Sequence, residues 1–397
     1  MWAPLLDGEL GERAREALGA IAARLVATDD SERGASLASG AAGDAVVLDV
    51  VAQACVSAAL DEAARTALDR AIDEVANETM AAGLYVGFTG VAWALECLRD
   101  DDDEDANEEV DRALLEHLEE PIWRGDYDLV SGLAGLGLYG LERRRHASGR
   151  ACFARVLDHL ETTARHLPEG VAWWTSPDLL LPERRAEHPE GFWNVGLAHG
   201  VPGVVGVLAR AYAANVERAR VAPLLEGAVR WVLAQARAGD ARFPYFAGDA
   251  EPARTAWCYG DPGVAAALMA AGRATGEAAW ERRALELARA ATERTDDGVV
   301  DAGLCHGRAG LGQIFHRFFR ATGDEIFAEA ARTELTRALD FGEPGGRYRA
   351  WAPDAQGILG WIDDSTLLAG SGGVALALAS ALSTEAPTWD RVLLLDL

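Results

Sequence analysis

The stretch His199-Gly200-Val201-Pro202-Gly203-Val204-Val205-Gly206-Val207-Leu208 contains the pattern that decides the fold, Gly-x-x-Gly followed by small apolar residues. Glycine suits such a position because it lets two backbone segments approach closely and permits a positive φ in a tight turn. The pattern recurs along the chain, and its seven copies begin at Gly40, Gly87, Gly132, Gly200, Gly260, Gly307 and Gly370. Successive copies are 47, 45, 68, 60, 47 and 63 residues apart. Because a repeat of roughly 45 residues holds two helices and two loops, the copies predict about fourteen helices, with insertions in the longer gaps.

The rest of the chain agrees with one helical domain. It has 397 residues, of which 50% are apolar, enough to bury a sizeable core. The N-terminal segment carries an apolar stripe at helical spacing, formed by Leu10, Ala14, Leu18, Ile21 and Leu25. The sequence therefore predicts an all-α protein, an α/α toroid (barrel) of about seven helical hairpins. We expect residues 1–397 to form a single domain, with room for a small insertion within residues 168–192.

Charge and hydropathy exclude several classes of partner. The net charge is −26 and the sequence pI is about 4.7, which argues against nucleic acid and against an anionic membrane surface. The chain has no apolar stretch of membrane-spanning length and no basic-then-apolar signal at its N-terminus. These features predict a cytoplasmic protein without membrane insertion.

The cysteines fall into two groups. An odd number of cysteines in a chain without a secretion signal is not typical of a disulfide framework. Cys55, Cys97 and Cys152 lie in apolar helical stretches and are predicted to be core residues. Cys258 and Cys305 instead lie at glycine turns, each two positions before the first glycine of its copy.

Cys258, Cys305 and His306 together predict a zinc site. Zinc favours thiolate and imidazole ligands, and Cys258 and Cys305 occupy equivalent positions of the repeat. In a closed ring all three side chains can point towards one place, although the alternative is three buried core residues. Three protein ligands leave one coordination position open, which is typical of catalytic zinc. His199 could be a fourth ligand, which would make the site closed and structural, or a base beside the open position.

An open site of this kind activates a thiol. Zinc deprotonates a bound thiol, and the thiolate is a reactive nucleophile. A nearby histidine and an acid can then manage the protons. Asp126 and Asp128, just before Ser131-Gly132, are the acidic candidates at a turn. The site therefore predicts thiol addition or alkylation, with activation of water as the simpler alternative.

Three segments, in order along the chain, resemble the signatures of a known family. They are Trp193–Gly203 (WNVGLAHGVPG), Arg254–Gly263 (RTAWCYGDPG) and Leu304–Gly310 (LCHGRAG). They are similar to the three motifs of the lanthipeptide cyclases, the LanC-like family. With the seven glycine turns, the resemblance covers nearly the whole chain. It implies an α/α toroid of two concentric helical layers.

The resemblance also implies an activity. A class I, stand-alone cyclase acts on a ribosomally made precursor peptide, leader plus core, that a separate enzyme has dehydrated at Ser and Thr. It adds peptide Cys thiols to dehydroalanine or dehydrobutyrine and so forms the thioether rings of lanthionine or methyllanthionine. Family membership further implies a complex with the dehydratase and an exporter, which would make the enzyme peripheral to a membrane-associated assembly.

Carried over by motif, the resemblance assigns residues to both parts of the site. Cys258, Cys305 and His306 would hold one Zn2+ per chain, and the substrate Cys would be the fourth ligand. The implied catalytic residues are His199, Asp128, Arg254 and Tyr259.

Each catalytic residue has an expected role. His199 would take the proton from the thiol or give it to the enolate carbon. Asp128, which motif register favours over Asp126, would orient His199 or assist it. Arg254 and Tyr259 would stabilise the enolate oxygen or position the site.

Other functions remain open at this stage. A protein prenyltransferase subunit also activates a peptide thiol with zinc, but it uses an Asp-Cys-His set and a cationic groove. A glycosidase on an α/α toroid needs two facing carboxylates, for which Asp261 and Asp363 are unpaired candidates. A LanC-like protein could also bind glutathione or another thiol, or add glutathione to dehydroamino acids.

Overall fold

The computed structural model describes residues 2–27, 33–99, 105–237, 242–294, 298–353 and 358–397. These residues are mainly helical. In chain order the α-helices are α1 (Gly8–Ala27), α2 (Ala41–Cys55), α3 (Ala58–Asn77), α4 (Phe88–Leu98), α5 (Glu108–His117), α6 (Leu133–Glu142), α7 (Ala147–Thr163), α8 (Pro182–Glu187), α9 (Val201–Ala213), α10 (Arg218–Ala234), α11 (Asp261–Thr275), α12 (Ala278–Thr292), α13 (Arg308–Thr322), α14 (Glu325–Asp340) and α15 (Ser371–Leu382).

Seven of these helices form an inner ring, and each begins at the residue after the first glycine of a Gly-x-x-Gly copy. They are α2, α4, α6, α9, α11, α13 and α15. Each packs against the next in the series, and α15 packs against α2 to close the ring. The remaining long helices lie outside, with α1 packed on α15. The predicted α/α toroid of two concentric layers is therefore confirmed.

Burial explains why the two layers differ in sequence. In the inner helix α15, every residue from Ser371 to Ala381 is buried, because the helix has neighbours on all sides. In the outer helix α3 only Ala64 and Ala71 are fully buried, and Leu60, Leu68, Ile72 and Val75 are partly buried against the core. The predicted stripe on α1 behaves in the same way, since its residues from Ala14 to Leu25 form the buried face. Small apolar runs therefore mark the inner ring, and amphipathic runs mark the outer one.

The seven glycine turns are joined by a closed circle of backbone hydrogen bonds. Each bond runs from a residue two or three positions before one glycine to the residue two positions before the glycine of the next copy. In donor-to-acceptor order the pairs are Ala38–Tyr85 (2.9 Å), Tyr85–Val130 (3.0 Å), Leu129–Ala198 (3.1 Å), Ala198–Cys258 (3.2 Å), Cys258–Cys305 (3.2 Å), Cys305–Leu368 (2.9 Å) and Leu368–Ala38 (3.4 Å). This circle brings equivalent positions of the repeats side by side.

Close backbone approach is what requires the glycines. A Cβ at Gly87 would lie 2.0 Å from the carbonyl oxygen of Ala81, and one at Gly90 would lie 2.0 Å from that of Leu84. The backbone of Gly87 is extended, with φ at −138°, so that conformation alone does not require glycine. Among the first glycines of the copies only Gly260 has a positive φ, at 94°.

Gly90→Ala is expected to lower the free energy of unfolding by about 3 kcal/mol, since the new methyl group meets a backbone oxygen that cannot move away. Gly19→Ala is the matched control: Gly19 lies on the exposed face of α1 with nothing within 4 Å of an added Cβ. That change is expected to raise stability by up to about 1 kcal/mol. Denaturant titration of both variants measures the difference. Equal stabilities would show that close approach is not what selects glycine.

The C-terminal segment fills the inside of the ring. Trp389 and the residues from Val392 to Leu395 are buried in the core. The Tyr85 hydroxyl donates a hydrogen bond to the carbonyl oxygen of Val392 at 2.9 Å, and the Trp257 indole donates to that of Leu393 at 2.8 Å. Because Trp257 precedes Cys258, this packing supports the turn that carries the cysteine.

Two small hairpins interrupt the helical pattern, and the sequence did not predict them. β1 (Arg165–Leu167) pairs with β2 (Gly170–Ala172), and β3 (Arg349–Pro353) pairs with β4 (Leu359–Asp363). Both lie in long gaps between glycine copies. The stretch 168–192, where the sequence leaves room for an insertion, holds β2, a 3-10 turn and α8.

All five cysteines are free, and one of the predicted core positions is wrong. Cys152 is buried and Cys97 is half-buried, but Cys55 is exposed. The reason is that α2 ends at Cys55, and the chain turns at Val56, which is 91% exposed. None of the described helices combines the length and the hydrophobicity that a membrane span requires.

Candidate metal centre and active site

Two thiols and an imidazole meet at adjacent glycine turns. Cys258, Cys305 and His306 each contribute one ligand atom, and these three atoms lie within 4.8 Å of one another. In the described part of the chain, no other group of three or more His, Cys, Asp or Glu residues is arranged in this way to hold a metal ion. The backbone hydrogen bond from Cys258 N–H to the Cys305 carbonyl, 3.2 Å long, joins the two turns. The structure thus brings the three predicted ligands together.

The spacing of these atoms suits zinc. Zn–S bonds of about 2.3 Å and Zn–N bonds of about 2.0 Å place the ligands of a tetrahedral ion roughly 3.5 to 3.8 Å apart. The three ligand atoms lie within 4.8 Å of one another, so a small adjustment would let them bind one ion. Both sulfurs are free thiols, and the donor set of two sulfurs and one nitrogen is one that zinc favours.

The two thiols share a negative charge. A hydrogen bond from the Cys305 thiol lowers the pKa of Cys258 well below its usual value, and His306 and Arg254 add to the effect although burial opposes it. The same hydrogen bond, with burial, raises the pKa of Cys305. One thiolate is therefore favoured before any cation binds.

A buried carboxylate contacts His306. Asp301, only 1% exposed, has Oδ2 at 3.1 Å from Nε2 of His306. The backbone N–H groups of Gly303 and Trp351 also donate to the carboxylate, each at 3.2 Å. The motifs in the sequence do not predict this role for Asp301.

A histidine–carboxylate pair lies on the neighbouring turns. Nδ1 of His199 is 2.5 Å from Oδ2 of Asp128, while Oδ1 of Asp128 accepts the N–H groups of Ser131 at 2.8 Å and Gly132 at 2.9 Å. Asp128 is buried, whereas the side chain of His199 is 44% exposed. The competing acid, Asp126, accepts the N–H of its neighbour Tyr127 instead. The structure therefore places Asp128, and not Asp126, against His199.

The surroundings of this pair raise the pKa of His199 and that of Asp126. Burial lowers the pKa of His199, but the hydrogen bond and the charge of Asp128 outweigh burial and raise it above its usual value. Burial and the charge of Asp128 raise the pKa of Asp126 to about 6. The site thus holds one carboxylate that contacts His199 and a second one whose pKa lies above its usual value.

Tyr259 and Arg254 lie beside this pair. The Tyr259 ring is stacked near His199, with centroids 6.2 Å apart and an angle of 29°, and its hydroxyl accepts a hydrogen bond from Asn194 at 3.0 Å. Arg254 donates through Nε to the hydroxyl of Tyr245 at 3.2 Å. The Tyr245 and Tyr259 rings are 5.0 Å apart. Tyr245 and Asn194 are thus two supporting residues whose roles are not predicted from the sequence.

The two carboxylates considered for a glycosidase are both held in ion pairs. Asp261 is buried and paired with Arg294. Asp363 pairs with Arg24 at 2.8 Å and with Arg347 at 3.2 Å on the outer hairpin. Neither lies free across a cavity as a general acid, so the structure gives the glycosidase hypothesis no support.

Comparison with known proteins defines the family. A family model described as lanthionine synthetase C-like protein matches residues 31–394, and the chain therefore belongs to this family. The chain is also 24% identical over 274 residues to the nisin biosynthesis protein NisC of Lactococcus lactis subsp. lactis. That alignment spans 62% of this chain and 65% of the relative, slightly less than two thirds of its length.

Solved structures show the same fold. A structure of nisin cyclase superposes with a TM-score of 0.76 at 20% identity, and the match covers 96% of this chain and 97% of that one. Cellobiose 2-epimerase from Bacillus thermoamylovorans B4167 gives a TM-score of 0.50 at 11% identity, with coverage of 93% and 98%. Since proteins with such different names share the toroid, function must be argued from the site.

Proposed function

We propose that this protein is a zinc-dependent lanthipeptide cyclase, which adds peptide Cys thiols to dehydroalanine or dehydrobutyrine in a ribosomally made precursor. The observation that carries the proposal is that the cluster of metal ligands and the histidine–carboxylate pair lie on adjacent turns. The Cys258, Cys305 and His306 cluster lies next to the His199–Asp128 pair, because the N–H of Ala198 donates to the Cys258 carbonyl at 3.2 Å. Thiol activation and proton transfer are therefore available at one place.

The proposed role of the metal is to activate the substrate thiol. When bound, zinc lowers the pKa of a coordinated thiol and fixes its sulfur. Cys258, Cys305 and His306 are the proposed ligands, one zinc per chain, and the substrate Cys is the proposed fourth. A closed site with His199 as the fourth ligand is less compatible with the geometry, because His199 does not belong to the group of described residues whose ligand atoms lie within 4.8 Å of one another.

His199 is the proposed proton carrier. The reaction forms a bond between sulfur and the β-carbon of the dehydro residue, and the thiol proton ends on the α-carbon, so that no atoms are lost. Because Asp128 holds Nδ1, the Nε2 atom is left for this proton. A raised pKa lets His199 hold a proton near neutral pH, as an acid needs, while its exposed ring can still exchange it.

Arg254 and Tyr259 are the proposed stabilisers of the enolate oxygen. The Tyr259 hydroxyl accepts a hydrogen bond from Asn194, so its own proton can be donated to an oxyanion. Arg254 is charged, and Tyr245 holds it through Nε. Donors that are fixed before reaction cost little reorganisation when negative charge develops.

The proposal extends to partners and organisation. The substrate would be a dehydrated precursor, leader plus core, delivered by a dehydratase in a complex that also includes an exporter. One apolar core runs from Leu5 to Leu395, which supports a single domain over residues 1–397 with a small insertion within residues 168–192. The cytoplasmic location stays a prediction from the sequence.

Cyclisation can be tested with zinc-loaded protein and a synthetic peptide that contains one Cys and one dehydroalanine. Ring closure leaves the peptide mass unchanged but removes its free thiol, so the product should resist alkylation by a maleimide in mass spectrometry. Full alkylation after prolonged incubation would refute the proposal. A parallel reaction with glutathione and a dehydroalanine peptide without Cys tests the alternative, since a glutathione-adding enzyme would increase the peptide mass by one glutathione.

Asp128→Asn is expected to slow cyclisation about 100-fold and to lower the pKa of His199. The carboxylate of Asp128 raises this pKa, so its loss should move the His199 limb of the pH–rate profile to lower pH. Asp126→Asn is the matched control and should change the rate much less. If the rate of Asp128→Asn were unchanged and that of Asp126→Asn fell, the orienting role would belong to Asp126.

A further inference from the structure

The contact between Asp301 and His306 points to a supporting residue of the metal centre. We propose that Asp301 is a positioning residue that holds His306 in the orientation and tautomer needed to bind zinc. The inference rests on the zinc site of the proposed function, and its test measures metal binding separately from cyclisation.

The hydrogen bonds of Asp301 fix the proton of the imidazole. Its carboxylate accepts the N–H groups of Gly303 and Trp351, each at 3.2 Å, and lies 3.1 Å from Nε2 of His306. A carboxylate is an acceptor only, so Nε2 carries the proton. Nδ1 is then the ring nitrogen that is left to bind the metal.

Burial protects the contact between Asp301 and His306 from water. Asp301 is 1% exposed, so water does not compete for its oxygens. Trp351 belongs to the β3–β4 hairpin, whose backbone therefore helps to hold the carboxylate in place. Carboxylates that accept from the second nitrogen of a metal-bound histidine set its tautomer and raise its basicity.

A polar residue at this repeat position recurs in other copies, including Asp126 before Gly132, whose carboxylate accepts the N–H of Tyr127 at 2.7 Å. Asn194, Asp301 and Asp364 each lie six residues before the first glycine of a copy, at Gly200, Gly307 and Gly370. Each closes its own turn by accepting the backbone N–H two residues later, at 2.9, 3.2 and 2.7 Å respectively.

Two of the three make a second contact, and in both cases it is to a predicted site residue. Asn194 donates to the hydroxyl of Tyr259, and Asp301 contacts His306. Asp364 precedes a copy with Leu368 and Ala369 before the glycine, neither of which can bind a metal. Asp364 therefore provides a control that shares the turn but not the metal ligand.

Asp301→Asn tests the proposal with almost no change in shape. N–H donors approach Asp301 at both oxygens, and an amide offers a single acceptor oxygen, so one side must face the NH2 group. We expect the affinity for Zn2+, measured by competition with a chromogenic chelator, to fall about 10- to 100-fold. Asp364→Asn should stay within about twofold of the wild type, because its oxygen can still accept the turn N–H.

Cobalt substitution separates positioning from a general loss of structure. With Co2+ in place of zinc, the visible absorption bands should shift in Asp301→Asn and stay unchanged in Asp364→Asn, while circular dichroism is the same in both. Wild-type zinc affinity together with an unshifted cobalt spectrum in Asp301→Asn would overturn the proposal. If Asp301→Asn does not fold, Asp301→Glu takes its place with the same criteria.

The measurements distinguish failure of the Asp301 proposal from failure of the cyclase proposal. If the wild type binds zinc and Asp301→Asn loses affinity, but no peptide is cyclised, the cyclase proposal fails and the positioning proposal stands. If peptides are cyclised and Asp301→Asn binds zinc normally, only the positioning proposal fails. A wild type that binds no zinc would overturn both.

Discussion

Cys258→Ala and Cys305→Ala are each expected to lose bound zinc and cyclisation together. Each change leaves two of three close ligand atoms, and among the described residues no fourth donor belongs to this cluster. Zinc content should fall from about one ion per chain to near zero. The rate of ring closure should fall by about 1,000-fold or more, since a Lewis acid contributes several kcal/mol to such a step.

Metal analysis and the alkylation assay measure both quantities on the same protein. Cys55→Ala is the matched control: Cys55 is a free and exposed cysteine at the end of α2, so its loss should change neither zinc content nor rate. Full zinc occupancy in both Cys258→Ala and Cys305→Ala would refute the ligand assignment. Normal cyclisation by a zinc-free variant would refute metal-dependent thiol activation.

His199→Ala is expected to keep its zinc and to lose between about 100- and 10,000-fold in rate, the range that a positioned acid or base supplies. The expectation follows from the geometry. Nδ1 of His199 is paired with Asp128, and the ring lies beside Tyr259 and not within the cluster of thiols. Removing the ring leaves the metal ligands in place but no group to transfer the proton.

The control for this change is His166→Ala, at an exposed histidine of the β1–β2 hairpin. It should match the wild type in zinc and in rate. If His199→Ala loses its zinc, His199 is a fourth ligand and the site is closed and structural. If zinc and rate both stay at the wild-type level, another group carries the proton.

Much of the fold could be predicted because the glycines are required at every copy. In six of the seven copies, a Cβ on either glycine would lie within 2.4 Å of the carbonyl oxygen six positions earlier, as for Gly87 with Ala81 and Gly90 with Leu84, so the spacing persists where other residues vary. The equivalence of Cys258 and Cys305 carries the metal prediction for the same reason. The circle of hydrogen bonds turns equal position in the repeat into proximity in space.

The supporting residues of the site could not be predicted in this way. Tyr245 lies in the segment between α10 and α11, and Trp351 lies on β3, so neither has a fixed distance from a glycine copy. Their contacts with Arg254 and Asp301 depend on tertiary packing. Asp301 did leave a signal, since Asn194 occupies the same repeat position, but only the contact with His306 shows what that position does.

The toroid alone does not choose a function. A cellobiose 2-epimerase has a similar structure, and the match covers 93% of the present chain. What favours thiol chemistry is the set of two thiols and one imidazole beside a histidine–carboxylate pair. The central claim is therefore that a zinc ion held by three protein ligands accepts a peptide thiol as the fourth.

X-ray absorption at the zinc edge tests that claim most directly. Zinc-loaded protein would be measured alone and with a peptide that contains Cys but no dehydro residue, so that the thiol binds without reaction. We predict two sulfur ligands in the free protein and three in the presence of the peptide. A spectrum unchanged by the peptide, or a free protein in which zinc already has four protein ligands, would contradict the account.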